Sequence, residues 1–131
     1  QAGMAMKRQY DEPFILVSGN AGHLETEVHR LGYALTRGGR FFHALGGSDK
    51  GKAVQILSHL YRARFGIIQT FGIGDAENDL PMFKSVDRAF LVKKPTGKWA
   101  AIPPLPNLEK IDAIGPEGWV KAIHHAIKAF L

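Results

Sequence analysis

Apolar and polar positions change period several times along this chain, and each change marks an element. After Pro13 the continuous apolar run Phe14-Ile15-Leu16-Val17 predicts a strand, closed by the turn-forming stretch Ser18-Gly19-Asn20-Ala21-Gly22. Leu24, Val28 and Leu31 then recur at helical spacing, and Gly32 stands where a helix would stop. Tyr33 to Arg37 and Arg40 to Leu45 flank Gly38-Gly39, a two-residue turn signal between β-rich runs. The first part of the chain therefore predicts a strand, a helix and a hairpin, a small α+β unit. Gly46-Gly47-Ser48 breaks the pattern, and the boundary falls between residues 1–46 and 47–131.

The second part alternates differently. From Asp49 to about Arg64 a helix is expected, with Ala53, Ile56, Leu57, Leu60 and Tyr61 as its apolar face. The β-rich run from Gly66 to Gly74, with Ile67, Ile68, Thr70, Phe71 and Ile73, reads as a buried strand. A short helix near Pro81 to Ser85 and a further strand, Ala89-Phe90-Leu91-Val92, complete a parallel βαβ arrangement. Lys93 to Leu108 holds four of the seven prolines and reads as an irregular surface segment. Gly115-Pro116-Glu117-Gly118 precedes a last amphipathic helix in which Trp119, Val120, Ile123, Ile127 and Phe130 share a face. The fold class that follows is α/β.

Composition narrows the classes of function. A 45% apolar content over 131 residues supports a folded core, and no apolar run approaches a membrane span. The expectation is a soluble, cytoplasmic chain without a membrane partner. With no cysteine, thiolate metal sites and disulfides are unavailable. The net charge of +5 favours anionic partners. Its basic residues are scattered, however, and the Lys93-Lys94 and Lys98 group beside Trp99 reads as a solvated face, so no nucleic-acid partner is expected.

Chemistry concentrates at Gly72-Ile73-Gly74-Asp75-Ala76-Glu77-Asn78-Asp79-Leu80-Pro81. Asp75 leaves a strand at its carboxyl end, the rim where open α/β sheets bind ligands, and Gly72 and Gly74 let a ligand approach the backbone there. Asn78 or Asp79 can cap the next helix, and Pro81 suits its first turn. Asp75 and Asp79 can share one face, and two hard oxygen donors suit a divalent cation of the magnesium type. Asp49-Lys50-Gly51-Lys52 opens a helix after a glycine-rich turn, so an ammonium group joins the free N–H groups of a helix start, a corner suited to phosphate. Lys50 and Lys52 lie two apart and cannot face the same way; one reaches the site and the other points to solvent.

The pair Asp49-Lys50-Gly51-Lys52-Ala53 and Gly74-Asp75-Ala76-Glu77-Asn78-Asp79 resembles the haloacid dehalogenase superfamily of magnesium-dependent phosphatases. Within it, Tyr10-Asp11-Glu12-Pro13-Phe14, Arg37-Gly38-Gly39-Arg40-Phe41-Phe42-His43 and Gly115-Pro116-Glu117-Gly118-Trp119 resemble the mannosyl-3-phosphoglycerate phosphatases, and the likeness covers essentially the whole chain. It implies a partial Rossmann-like parallel sheet, the carboxyl-terminal half of such a core, at residues 47–131, with residues 1–46 as the remnant of a cap domain. It further implies Lys50 as the catalytic lysine that neutralises the phosphoryl group, Asp75 and Asp79 as metal ligands for Mg2+, and Asn78 in support. Arg37, Arg40 and His43 would contact the substrate, a phosphorylated sugar or glycerate-type molecule.

One half of the family's machinery has no counterpart in these residues. The resemblance calls for an Asp-x-Asp nucleophile on a first core strand, and no Asp-x-Asp occurs in the sequence. Covalent phosphoryl transfer then lacks its attacking carboxylate, and the chain alone is expected not to turn over phosphate esters well. Without that strand, the one ending at Asp75 becomes an apolar edge, which a homodimer or a complementary chain should cover. The alternative is a catalytically silent chain that binds a phosphorylated ligand or assembles with itself.

Overall fold

The computed structural model describes residues 11–38, 41–47 and 49–128. The chain divides into two compact units, residues 1–48 and 49–131.

The first unit contains β1 (Asp11–Phe14), α1 (Ala21–Arg30), β2 (Ala34–Gly38) and β3 (Phe41–Leu45), with an antiparallel sheet in the order β1-β3-β2. The first strand ends at Phe14 instead of continuing through Val17. Phe14 pairs with Phe42, and among the described residues the ladder goes no further; Val17 is left 93% exposed. Helix α1 begins earlier than its apolar spacing indicates, because Asn20 Oδ1 accepts from Gly22 N at 2.8 Å and His23 N at 3.3 Å. It stops at Gly32 as read. Gly32 N donates to His29 O and Tyr33 N to Val28 O, a paired closure that needs the positive φ of 83° at Gly32. In the hairpin Gly38 pairs with Phe41, one residue along from the turn read at Gly38-Gly39; Gly39 and Arg40 lie outside the described residues.

The second unit contains α2 (Lys50–Phe65), β4 (Phe71–Gly74), a 3-10 turn (Glu77–Asp79), α3 (Leu80–Phe83), β5 (Arg88–Lys93), β6 (Leu108–Ile114) and α4 (Gly115–Lys128). Its sheet is parallel, in the order β4-β5-β6. Strand β4 starts five residues later than the apolar run, and Ile67 is 99% exposed. The ladder is closed just before it by Thr70 and Asp87, where Asp87 Oδ2 accepts from Thr70 N at 2.7 Å and Thr70 Oγ1 at 2.8 Å, while Asp87 N donates back to Thr70 Oγ1. Strand β6 lies where the apolar pattern predicts no element. Its signal is the short alternation of buried Ile111 and Ala113 with exposed Lys110, Asp112 and Ile114.

Two clusters fill the core, one on each face of this sheet. Phe90, Val92, Ile111 and Ala113 meet Ala122 and Ala126 of α4. On the other face Ala89 and Leu91 meet Phe83, Val86 and Ala100, with Val54, Trp99, Ile102 and Leu105 against them. The proline-rich segment is thus irregular but not merely superficial: it supplies cover that a crossover helix usually gives, and Asn107 Nδ2 ties it to Phe83 O and Val86 O.

Both long helices of this unit present a different stripe from the one their large apolar residues mark. Helix α2 buries Gly51 and Ser58 and packs Val54, while Ile56, Leu57, Leu60 and Tyr61 stay more than half exposed. Helix α4 buries Gly118, Ala122 and Ala126, and leaves Trp119, Val120, Ile123 and Ile127 about half exposed; Phe130 lies outside the described residues. Close approach is the cause. A Cβ on Gly118 would lie 2.8 Å from Ala113 O and 3.0 Å from Val92, so the small stripe lets the helix backbone press directly on the sheet.

Candidate functional site

The site grows from two glycines that bring three segments together. A Cβ on Gly51 would meet Pro81 O at 2.5 Å, so the first turn of α2 sits against the start of α3. A Cβ on Gly74 would lie 2.6 Å from Asp79 Cγ, so the end of β4 makes room for that carboxylate. The absent side chain at Gly74 thus accommodates Asp79, where the sequence had reserved the space for a ligand. Asp49 caps α2 by accepting from Lys52 N at 2.8 Å, which fixes the direction in which Lys50 leaves the helix.

Lys50 Nζ donates to Asp79 Oδ1. Asp79 Oδ2 accepts from Asp75 N at 3.1 Å and Ala76 N at 3.2 Å. Asp79 is only 4% exposed, and these three donors offset the cost of burying its charge. Neither of its oxygens caps α3, so the capping role read for Asp79 is replaced by a tie back to the strand end. Lys50, Asp75 and Asp79 are therefore brought to one corner at the carboxyl rim of β4.

Asp75 and Asn78 complete that corner. Asp75 is half-buried, and among the described residues its carboxylate accepts no hydrogen bond; Asn78 Oδ1 is buried with no hydrogen-bond partner. An orphaned buried oxygen is costly unless something absent from the chain satisfies it. A hard cation that takes oxygen ligands and keeps several waters fits Asp75 and Asn78 in kind. Asp79 fits such a cation less well than Asp75, since both its oxygens are engaged. Among the described residues no group of three or more histidine, aspartate and glutamate side chains could hold a metal by itself, so any cation here needs further oxygens.

Glu77 and Lys94 were missed as members of this region. Lys94 Nζ donates to both carboxylate oxygens of Glu77 at 2.9 Å, and Ala101 N donates to Glu77 Oε1 at 3.3 Å. The Lys94 ammonium holds the Glu77 carboxyl below its ordinary range, with the backbone N–H groups adding to the effect and partial burial opposing it. Of the three lysines read as a solvated face, Lys94 is engaged by Glu77, and Lys93 pairs with Asp112 and lies 4.5 Å from the Trp99 ring centroid, while Lys98 is exposed as read. Contacts over 17 residues of sequence leave no local signal.

Arg37 and His43 belong to the first unit. Arg37 pairs across the hairpin with Phe42 and His43 with Thr36, so the two side chains leave opposite faces of the sheet. The Arg37 guanidinium lies 5.5 Å from the Phe42 ring centroid, and Phe14 stacks on the same ring. The third residue of that expected group, Arg40, lies outside the described residues.

Residues 37–98 match the family described as haloacid dehalogenase-like hydrolase. The chain is 44% identical over 124 residues, 93% of its length, to glucosyl-3-phosphoglycerate/mannosyl-3-phosphoglycerate phosphatase of Methanococcoides burtonii, and covers 46% of that relative. It is 44% identical over 89 residues, 68% of its length, to mannosyl-3-phosphoglycerate phosphatase of Pyrococcus horikoshii, and covers 35% of it. The chain thus spans about half or less of the length of these relatives. Among solved structures, the Thermoplasma acidophilum protein 0175 superposes on 94% of the chain and 51% of its own length, with a TM-score of 0.62 at 20% identity, a likeness of fold. No helix among the described residues is long and apolar enough to cross a membrane.

Proposed function

We propose, from the match of residues 37–98 to the haloacid dehalogenase-like hydrolase family and the similarity to mannosyl-3-phosphoglycerate phosphatases, that this chain is the carboxyl-terminal part of a magnesium-dependent phosphatase acting on a phosphorylated sugar or glycerate-type molecule. The observation that carries this reading is the convergence of Lys50 and the Asp75–Asp79 turn through one buried carboxylate.

In this reading the Lys50 ammonium, held by Asp79, neutralises charge on the phosphoryl group, and such neutralisation is worth most where water is excluded. Asp75 supplies the cation's carboxylate and Asn78 a supporting amide oxygen, while Asp79 positions both the lysine and the backbone of Asp75. Mg2+, when bound, would polarise a phosphoryl oxygen. Residues 1–46 are the remnant of a cap that covers substrate, with Arg37 and His43 on opposite faces of its sheet. The attacking carboxylate comes from outside these residues, since they contain no Asp-x-Asp.

The test is hydrolysis of mannosyl-3-phosphoglycerate with Mg2+, on the chain alone and with a complementary chain carrying an Asp-x-Asp strand. Turnover only in the mixture, abolished by Asp75→Ala or Lys50→Ala, is the expected result. Equal turnover by the Asp75→Ala variant would exclude the proposed site.

A second reading rests on the uncovered flank. Among the described residues β4 pairs only with β5, and Ile56, Leu57, Leu60, Tyr61 and Phe65 of α2 are more than half exposed. A bare strand edge together with such an apolar stripe invites another chain. On this reading the chain assembles with itself and binds phosphorylated ligands without turning them over. Sedimentation at increasing concentration would show a monomer-dimer equilibrium, and a phosphate ester would bind without reaction and be lost in Lys50→Ala.

A further inference from the structure

We infer that Lys94 and the Ala101 amide act as positioning groups for the proposed cation corner, holding Asp75 and Asn78 in place through Glu77. The inference rests on the site proposed above and extends it to residues that touch neither phosphate nor metal.

Glu77 occupies the first position of the 3-10 turn that ends at Asp79. On one side it precedes Asn78, whose Oδ1 is buried and unpartnered. On the other, its carboxylate receives three hydrogen bonds from the β5–β6 crossover, two from Lys94 Nζ and one from Ala101 N. The donors are themselves anchored. Ala100, beside Ala101, is 5% exposed in the cluster with Leu91 and Phe83. Lys94 N donates to Lys98 O at 2.9 Å and Gly97 N to Lys94 O at 2.8 Å, a tight turn made possible by the positive φ of 77° at Gly97.

The turn that carries Asp75 and Asn78 is therefore held at two points of different origin. Asp79 pins its backbone N–H groups toward Lys50, and Glu77 pins its outer side toward the crossover. A three-residue 3-10 turn has little rigidity of its own, because each of its ends leaves backbone groups without internal partners. Without the Glu77 clasp, Asn78 can rotate its amide to water and satisfy Oδ1 there, and the oxygen is then no longer preset for a cation. Groups of this kind behind a metal ligand commonly change metal affinity by about 10–100-fold when removed.

The experiment compares the wild-type chain with Lys94→Met and Lys94→Arg, titrating Mg2+ and following the backbone amides of residues 75–79 by NMR. The same amides are followed by hydrogen exchange without Mg2+. The expected result for Lys94→Met is faster exchange at Ala76 and Asp79, an unchanged melting temperature, and Mg2+ affinity weaker by about tenfold. Lys94→Arg should restore both. Unaltered exchange in Lys94→Met would overturn the clasp, and so would faster exchange with full Mg2+ affinity, or a loss that arginine does not rescue. If the wild-type chain shows no Mg2+ response, the cation reading fails, while the exchange comparison still decides whether Lys94 orders the turn.

Discussion

The two units have similar proportions of apolar residues but reach different states of burial. In the second unit Phe83, Phe90, Leu91 and Val92 are essentially inaccessible, and helices or crossover segments cover both faces of the sheet. In the first unit no described residue is buried, and its aromatic row of Phe14 and Phe42 is stabilised by stacking and by the Arg37 guanidinium. A three-stranded sheet with one short helix has too little interior to exclude water from any side chain. Hydrogen bonding and cross-strand pairs can define a strand register without making a core.

Truncating one aromatic in each unit should expose this difference most strongly. Phe90→Ala removes a fully buried ring and is expected to cost about 3–5 kcal/mol, measured from urea midpoints at constant slope. Phe42→Ala should cost about 1–2 kcal/mol, from partial burial and a lost stack. Equal losses would mean that the first unit has a core of its own.

The next largest effect separates the rim of the second unit from its interior. Asp79→Ala leaves the half-buried N–H groups of Asp75 and Ala76 without an acceptor and Lys50 without its partner, at a cost of about 2 kcal/mol. The same variant should abolish any response of the 75–79 amides to Mg2+ or phosphate. A stable Asp79→Ala protein that keeps these responses would show that the corner does not depend on that carboxylate.

Acid offers a smaller and more local probe of the β4–β5 ladder. Hydrogen bonds from the Thr70 hydroxyl, then the Thr70 amide, with Arg62 adding its charge, hold the Asp87 carboxyl below its ordinary range. A depressed value means that the ionised form is favoured by folding. Its contribution is complete above the usual aspartate range near pH 4 and fades as pH falls through the lowered value. The stability gap between wild type and Asp87→Asn should therefore narrow from pH 7 to pH 3 in urea titrations. A gap independent of pH would point to shape, with charge playing no part.

The smallest effect on stability should come from the exposed stripe of α2. Leu60→Glu is expected to change the urea midpoint by less than about 0.5 kcal/mol, as at other open surface positions, yet to eliminate any self-association seen by sedimentation. A larger loss of stability would mean that Leu60 packs within the single chain.

Much of this molecule was legible without coordinates because the signals were local. Gly32 ends a helix because its own N–H and that of Tyr33 reach back to the carbonyls of His29 and Val28, Asp49 caps the helix that starts at Lys50, and the β-rich runs from Tyr33 to Leu45 yield a hairpin; each depends on residues a few positions apart. The sequence likewise determined that a lysine would open a helix and that acidic residues would follow a strand. Only the tertiary structure decided that Lys50 and Asp79 meet, that Glu77 is clasped by Lys94, and that Asp79 faces the strand end and not the helix. It also decided which helical stripe is buried, choosing Gly118, Ala122 and Ala126 over the larger Trp119 and Ile123. Apolar periodicity reports how much greasy surface a helix carries. Which side turns inward depends on how closely two backbones can approach, a property of both surfaces that neither segment contains by itself.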